Sequence, residues 1–327
     1  MPTYRSILKK SILITLRNKK FLYLGFFLAL LGNGGEYDLV IRNIQAAQGN
    51  AFGFRDLPGF FTPSAVTNIF FNAVKNLTGL REPLTNFFLV LVFAALVYIT
   101  ITAQGTLIAS VYNEAKKNHR VSLTKTWLET RGKFFELLAA NIIFKGGGLA
   151  IALLIAMPFF ILISSLTPLS LIESALISGV VVFTPLAVIV SFLTKYTLIG
   201  IVAKNQHPLA AFKNSVALFH GNWLITVENA LLLFFLNFAL GLATWLFAII
   251  ISFPLIAVMA INAYPLVIPA GNYATILAWV SIILISVFGS ALAVFQYASW
   301  TILFTKLAAK RKFESKIARI ASRIIPL

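Results

Sequence analysis

Four polar residues lie where a hydrocarbon environment makes them costly: Asn141, Lys145, Glu228 and Asn229. Lys145 is the twelfth residue of an apolar run over 134–165, which puts it near mid-bilayer if that run crosses a membrane. A charge at that depth costs at least ~2.5 kcal/mol and is normally aimed at a partner or a cavity. Glu228 stands five residues after Trp223 in the apolar run 223–252. A lysine stem can reach several ångströms toward such a carboxylate. Two readings follow from the pair. Lys145 meeting Glu228 or a backbone carbonyl would pin helix packing; Lys145 facing a space between helices would hold an anionic or lipid headgroup. Asn141, Asn229 and Asn237 suit hydrogen bonds between helices, whereas Glu136 and Glu173 fall near the ends of their runs.

Other chemistry is thin. The three histidines, His119, His207 and His220, have no metal-ligand spacing, and no cysteine exists to supply a thiolate or a disulfide. HExxH, GxSxG and phosphate-loop motifs are missing. Gly146-Gly147-Gly148 lies inside an apolar run with no basic residue after it, so it fits close helix contact better than phosphate binding. The expectation is a protein with no catalytic residues, no cofactor and no metal, hence not an enzyme.

The elements that must position these residues are membrane helices. The chain is 59% hydrophobic and 11% charged, against about 25% charged in soluble domains. Six apolar runs recur, at 21–32, 84–112, 134–165, 171–203, 223–252 and 273–306, and about 20 residues suffice to span the hydrocarbon core. The first, FLYLGFFLALLG, rises only about 18 Å as a helix, so it must borrow residues from SILITL or end within the membrane. Pro158 and Pro185 are expected kinks and Pro254 an expected stop. The fold class is therefore all-α, one polytopic membrane domain over 1–327 with six transmembrane helices.

Charge orients it. Segments 1–20, 113–133, 195–222 and 306–327 hold 22 of the 27 Lys and Arg, while 165–172 and 253–272 hold none. The positive-inside rule makes both termini cytoplasmic in a multi-pass protein of the cell membrane. This distribution also explains the net charge of +17 without nucleic acid. The loop 33–83 carries balanced charges and, at 64–77, a stretch SAVTNIFFNAVKNL with Val66, Phe70, Val74 and Leu77 on one side, read as an interfacial helix of the outer leaflet.

A repeat organises the spans. Thr106-Leu107-Ile108, Thr197-Leu198-Ile199 and Thr301-Ile302-Leu303 mark the ends of the even-numbered runs. An amphipathic stretch follows each, at 121–135, 207–222 and in the basic tail 307–327, and 1–20 supplies the same element before the first run. In the copy at 207–222, Leu209, Phe212, Val216 and Phe219 share one face, and Trp223 follows as an interfacial anchor. The pattern reads as three units of interfacial helix plus two-span hairpin. Such helices bury apolar faces at the headgroup level while their cations meet anionic lipid. Lys9, Lys10, Lys213, Lys310, Arg311 and Lys312 are the expected headgroup contacts.

Three segments carry a resemblance: KKFLYLGFFLALLGNGGEY (19–37), GTLIASVYNEAKKNHRVSLTKTWLETRGKFFELL (105–138) and AAFKNSVALFHGNWLI (210–225). With them the chain resembles uncharacterised bacterial six-span proteins, which are similar to the membrane domain fused to glycerophosphoryl diester phosphodiesterases. The segments cover about a fifth of the chain and the span layout nearly all of it. The soluble phosphodiesterase barrel has no counterpart here, so the resemblance implies a fold and no catalytic residues. The expected role is binding membrane lipids or organising a protein partner. The alternative is the membrane subunit of a transporter, in which the helix at 207–222 would resemble a coupling helix.

Overall fold

The computed structural model describes residues 3–30, 83–117, 121–147, 169–261 and 270–309. The expected helix at 64–77 and the rest of its loop, Pro158, and the tail cations Lys310, Arg311 and Lys312 lie outside the described residues. Those that are described form helices and the short turns between them. In chain order they are α1 Thr3–Arg17, α2 Phe21–Leu30, α3 Pro83–Lys117, α4 Leu123–Arg131, α5 Phe134–Ala140, α6 Leu169–Lys204, α7 Pro208–Gly221, α8 Trp223–Ile261 and α9 Ala270–Ala308. α5 runs on into a π-helical segment, Asn141–Gly146. Among the described residues, three stretches are long and apolar enough to cross a membrane, Val90–Lys116 in α3, Trp223–Ala243 in α8 and Ser286–Ala308 in α9.

α3, α6 and α9 form the centre, each touching the other two. The shorter helices seat on their ends in cyclic order: α4 packs on α3, α7 on α6, and α1 on α9. Small residues set these seats. A Cβ on Gly105 of α3 would lie 2.3 Å from Thr130 Cγ2 of α4. A Cβ on Gly200 of α6 would lie 3.3 Å from Ala211 Cβ of α7. Backbones approach this closely only where side chains are minimal. α6 turns into α7 through Asn205, whose φ of 54° is a left-handed conformation that asparagine tolerates well. His207 and Pro208 then start α7, the proline at a position where its missing N–H costs nothing.

Similar tight turns join each seated helix to the next element. The Phe21 N–H donates to Asn18 O at 2.8 Å, Lys133 to Thr130 O at 2.9 Å and Asn222 to Phe219 O at 3.0 Å. Lysines also meet carbonyls near helix ends. Lys10 Nζ donates to Ala115 O of α3 at 2.9 Å, and Lys133 Nζ to Ile201 O of α6 at 3.2 Å. Both supply donors where the last carbonyls have no helical partner and the dipole is negative.

Two sequence expectations change. Pro254 does not stop its helix, because α8 continues to Ile261. Proline is tolerated inside apolar helices when local adjustments re-satisfy the freed carbonyl. Phe212 and Phe219 do not share the outer face of α7 with Leu209 and Val216. Phe212 stacks on Phe144 at 4.4 Å, and Phe219 meets Phe192 at 6.1 Å. Leu209 and Val216 stay exposed, while Pro208, Ala211 and Ser215 are buried. The seat of α7 selects its smallest residues, and a periodicity that counts only apolar character points to a different side.

Candidate functional site

Hydroxyls line the central helices, but most are satisfied locally. Thr100, Thr102, Thr106, Thr194 and Thr197 each donate to the carbonyl four residues earlier. That is ordinary for threonine in a helix and marks no site. Buried groups bonded between helices are more informative, and two networks of them stand out.

The first is neutral. Gln104 of α3 donates through Nε2 to Tyr297 Oη of α9 at 2.6 Å, and Asn141 donates through Nδ2 to Gln104 Oε1 at 2.9 Å. Asn141 Nδ2 also reaches Leu137 O at 2.9 Å, and its Oδ1 has no partner among the described residues. Asn141 thus bonds between helices as expected, from the first position of the π-helical segment that contains Lys145.

The second network carries charge. Tyr4 of α1 donates its hydroxyl to Glu228 Oε2 of α8. Burial, and then the carboxylate it faces, push the Tyr4 phenol well above its ordinary range, so it stays protonated and donating. Tyr196 of α6 shares a 2.9 Å hydrogen bond with Thr226 of α8. Trp300 of α9 packs edge-on to Tyr196, with ring centroids 5.8 Å apart, and receives Lys195 Nζ over its face at 4.9 Å. Lys195 and Glu228 are 7% and 6% exposed, so one charge of each sign is buried among the aromatic residues of α1, α6 and α9. Buried charges survive when other groups solvate them, and phenol, indole and hydroxyl do so here.

Asn229 adjoins this network, one turn beyond Thr226 on the same side of α8. It is fully buried, and neither its Nδ2 nor its Oδ1 has a hydrogen-bond partner among the described residues. Leaving a buried polar group unpaired costs about 1–3 kcal/mol. Trp300 Nε1, Ser299 Oγ and Thr301 Oγ1 are likewise buried and unpartnered on α9. No group of three or more His, Asp or Glu among the described residues could hold a metal.

The expected residues thus part company. Asn141 belongs to one network and Glu228 to the other, with Asn229 beside Glu228. The side chain of Lys145 lies outside the described residues, and the acceptor of the Tyr4 hydroxyl is Glu228. Lys9 and Lys213 are exposed, whereas Lys10 is half-buried and occupied with Ala115 O. Sequence reasoning missed Lys195, Tyr4, Tyr196 and Gln104. Lys195 had a signal, since VSFLTKYTLIGIV flanks it with apolar residues on both sides. Glu114 was missed too; it is buried and accepts a hydrogen bond from Asn18 Nδ2 at 2.9 Å.

Helices long and apolar enough to cross a membrane, packed on one another around an apolar core with buried polar groups, define an all-helical membrane protein. Within that class, the chain belongs to a family of unknown function, DUF7544, which matches residues 8–305. No curated protein and no solved structure matches it.

Proposed function

We propose that the protein is a non-enzymatic, six-span protein of the bacterial inner membrane that binds lipid through basic interfacial helices. In this reading three units of seated helix and two-span hairpin repeat around the α3–α6–α9 centre, with the seated helices and both termini on the cytoplasmic side. The cyclic seating of α4, α7 and α1 supports the repeat. One observation carries the lipid reading. On α1, exposed Ile12, Leu13 and Leu16 lie beside exposed Lys9 and Arg17, and on α7 exposed Leu209 and Val216 lie beside exposed Lys213. That composition suits the boundary between headgroups and acyl chains. The likeness to the membrane domain of glycerophosphoryl diester phosphodiesterases enters as span layout alone and brings no activity.

Enrichment of phosphatidylglycerol over phosphatidylcholine around the protein tests the reading, measured by native mass spectrometry from mixed nanodiscs. One lysine near an anionic surface is worth about 1 kcal/mol, a roughly fivefold preference. Lys9→Gln with Lys213→Gln should lower the enrichment severalfold, and an unchanged ratio refutes it. A second reading, the membrane subunit of a transporter, draws on Lys195 and Glu228 buried within long helices; an ATPase subunit co-purifying with the chain would favour it.

A further inference from the structure

The tight turns that follow the three seated helices carry different charges. At the α4–α5 turn, Arg131 and Lys133 stand with Glu129 and Glu136, and Lys133 Nζ already donates to Ile201 O at 3.2 Å. The α7–α8 turn has His220 and Asn222 and no Lys or Arg. The α1–α2 turn has Arg17, Lys19 and Lys20 within four residues, and the first Asp or Glu in the chain is Glu36. All three of these cations are exposed, and none has an ion-pair partner among the described residues.

Hydrogen bonds fix the backbone that carries them. Asn18 N–H donates to Ile14 O at 3.2 Å, Phe21 N–H to Asn18 O at 2.8 Å and Leu22 N–H to Lys19 O at 3.1 Å. Asn18 Nδ2 donates to Glu114 Oε2 at 2.9 Å and ties the turn to the end of α3. Glu114 is buried beneath the turn, and its carboxylate is taken up by that bond. Three cations against this one acid leave a surplus of at least two positive charges on a turn that needs little ordering to bind.

Apolar surface follows directly. Tyr23 comes four residues after Lys19 and three after Lys20, so both cations stand about one turn above it. Tyr23 and Phe26 are exposed and, three residues apart, share a face of α2. On α1, exposed Leu13 lies one turn before Arg17. Charge, then a phenol, then apolar rings is the profile of a phospholipid from headgroup to acyl chain. A single phosphodiester answers one of the surplus charges, a headgroup with two answers both, and the ammonium of a zwitterionic lipid adds to the surplus.

We propose that the α1–α2 turn is a binding site for a phospholipid with two phosphodiester groups, held by Arg17, Lys19 and Lys20. The proposal rests on the lipid-binding reading and gives it a place: Lys9 and Lys213 enrich anionic lipid diffusely, whereas this turn retains one doubly charged molecule.

The test uses the full chain, purified with cardiolipin, phosphatidylglycerol and phosphatidylcholine and stripped progressively with detergent before native mass spectrometry. The expected result is one cardiolipin per chain that outlasts the other lipids. Lys19→Gln/Lys20→Gln should lower that occupancy at least tenfold, since each lysine near an anionic surface contributes about fivefold. Lys19→Arg/Lys20→Arg, which keeps the charges, should retain it. Lys125→Gln/Arg131→Gln removes the same charge from exposed positions of α4 and should leave it unchanged; an equal loss there shows diffuse attraction and overturns the site. Cardiolipin held undiminished by Lys19→Gln/Lys20→Gln, or phosphatidylglycerol that outlasts it, also overturns the proposal. So does its displacement by inorganic phosphate, which would place a free anion on the turn. The surface reading fails separately, through unchanged phosphatidylglycerol enrichment in Lys9→Gln/Lys213→Gln.

Discussion

Gly25→Ala tests how α2 is held against α9. A Cβ at position 25 would lie 2.3 Å from Ser290 O and 2.7 Å from Val294 Cγ2, both on α9. Ser290 O is backbone and cannot rotate away, so the helices must separate by about 1 Å to restore ordinary contact. A gap of 0.5–1 Å already forfeits roughly a quarter to a half of each dispersion contact it opens. Phe21, Leu24, Leu28 and Ala29 are buried on α2 and share that loss. Overpacking of this kind costs about 1–3 kcal/mol. Gly289→Ala is the matched control: it lies in α9 next to Ser290, and its Cβ would meet nothing within 4 Å. It should match the parent or gain up to about 1 kcal/mol, since alanine is the better helix former and its Cβ meets no clash. Thermal unfolding in one detergent, followed by tryptophan fluorescence, compares the two. Gly25→Ala melting with or above Gly289→Ala would refute the close crossing of α2 and α9.

Three further outcomes follow from the geometry. Gly105→Ala should destabilise less than Gly25→Ala, because its Cβ meets side chains; Thr130→Ser, which removes the Cγ2 at 2.3 Å, should restore much of the loss in the double variant's melting temperature. Tyr4→Phe should cost about 1.5 kcal/mol near neutral pH, the low end for a hydrogen bond to a charged group, since Tyr4 is half-buried. Its pH dependence has a definite sign. Above the ordinary phenol value of 10.0 the unfolded chain releases a proton that the folded chain keeps. Stability conferred by Tyr4 therefore falls as pH rises past 10, and the gap between parent and Tyr4→Phe in chemical unfolding should narrow there. Asn141→Leu leaves Gln104 Oε1 without its donor and should cost about 1–3 kcal/mol, while adding Gln104→Leu should cost less than the two single losses summed, as read in a double-mutant cycle.

The helices were legible because their cause is local. Apolar runs of membrane length, Pro208 at a helix start and the turns at Gly132 and Asn222 all announce themselves in sequence. The network at Glu228 was half legible. Glu228, Asn141 and Asn229 stand out as polar residues among apolar ones, but their partners come from helices far away in the chain. Tyr4 lies 224 residues from the carboxylate it serves, and no periodicity records that distance. Lys195 was obscured by its neighbourhood: counted with the polar segment that follows, it looked like an end residue, yet it lies nine residues before the end of α6. The face of α7 was misjudged for a different reason. Close seating favours Ala211 and Ser215 over larger residues, and hydrophobic pattern is blind to size.

The seat of α1 sets an order on assembly. α4 and α7 dock on helices that immediately precede them, so each can settle as soon as it leaves the ribosome. α1 emerges before every other described helix, while α9, the helix it docks on, emerges last. Until then α1 lacks its main seat, though Lys10 already has Ala115 O of α3 to donate to. A nascent chain stalled before α9 thus has its first described helix held by its contacts with α3 alone, without its main seat.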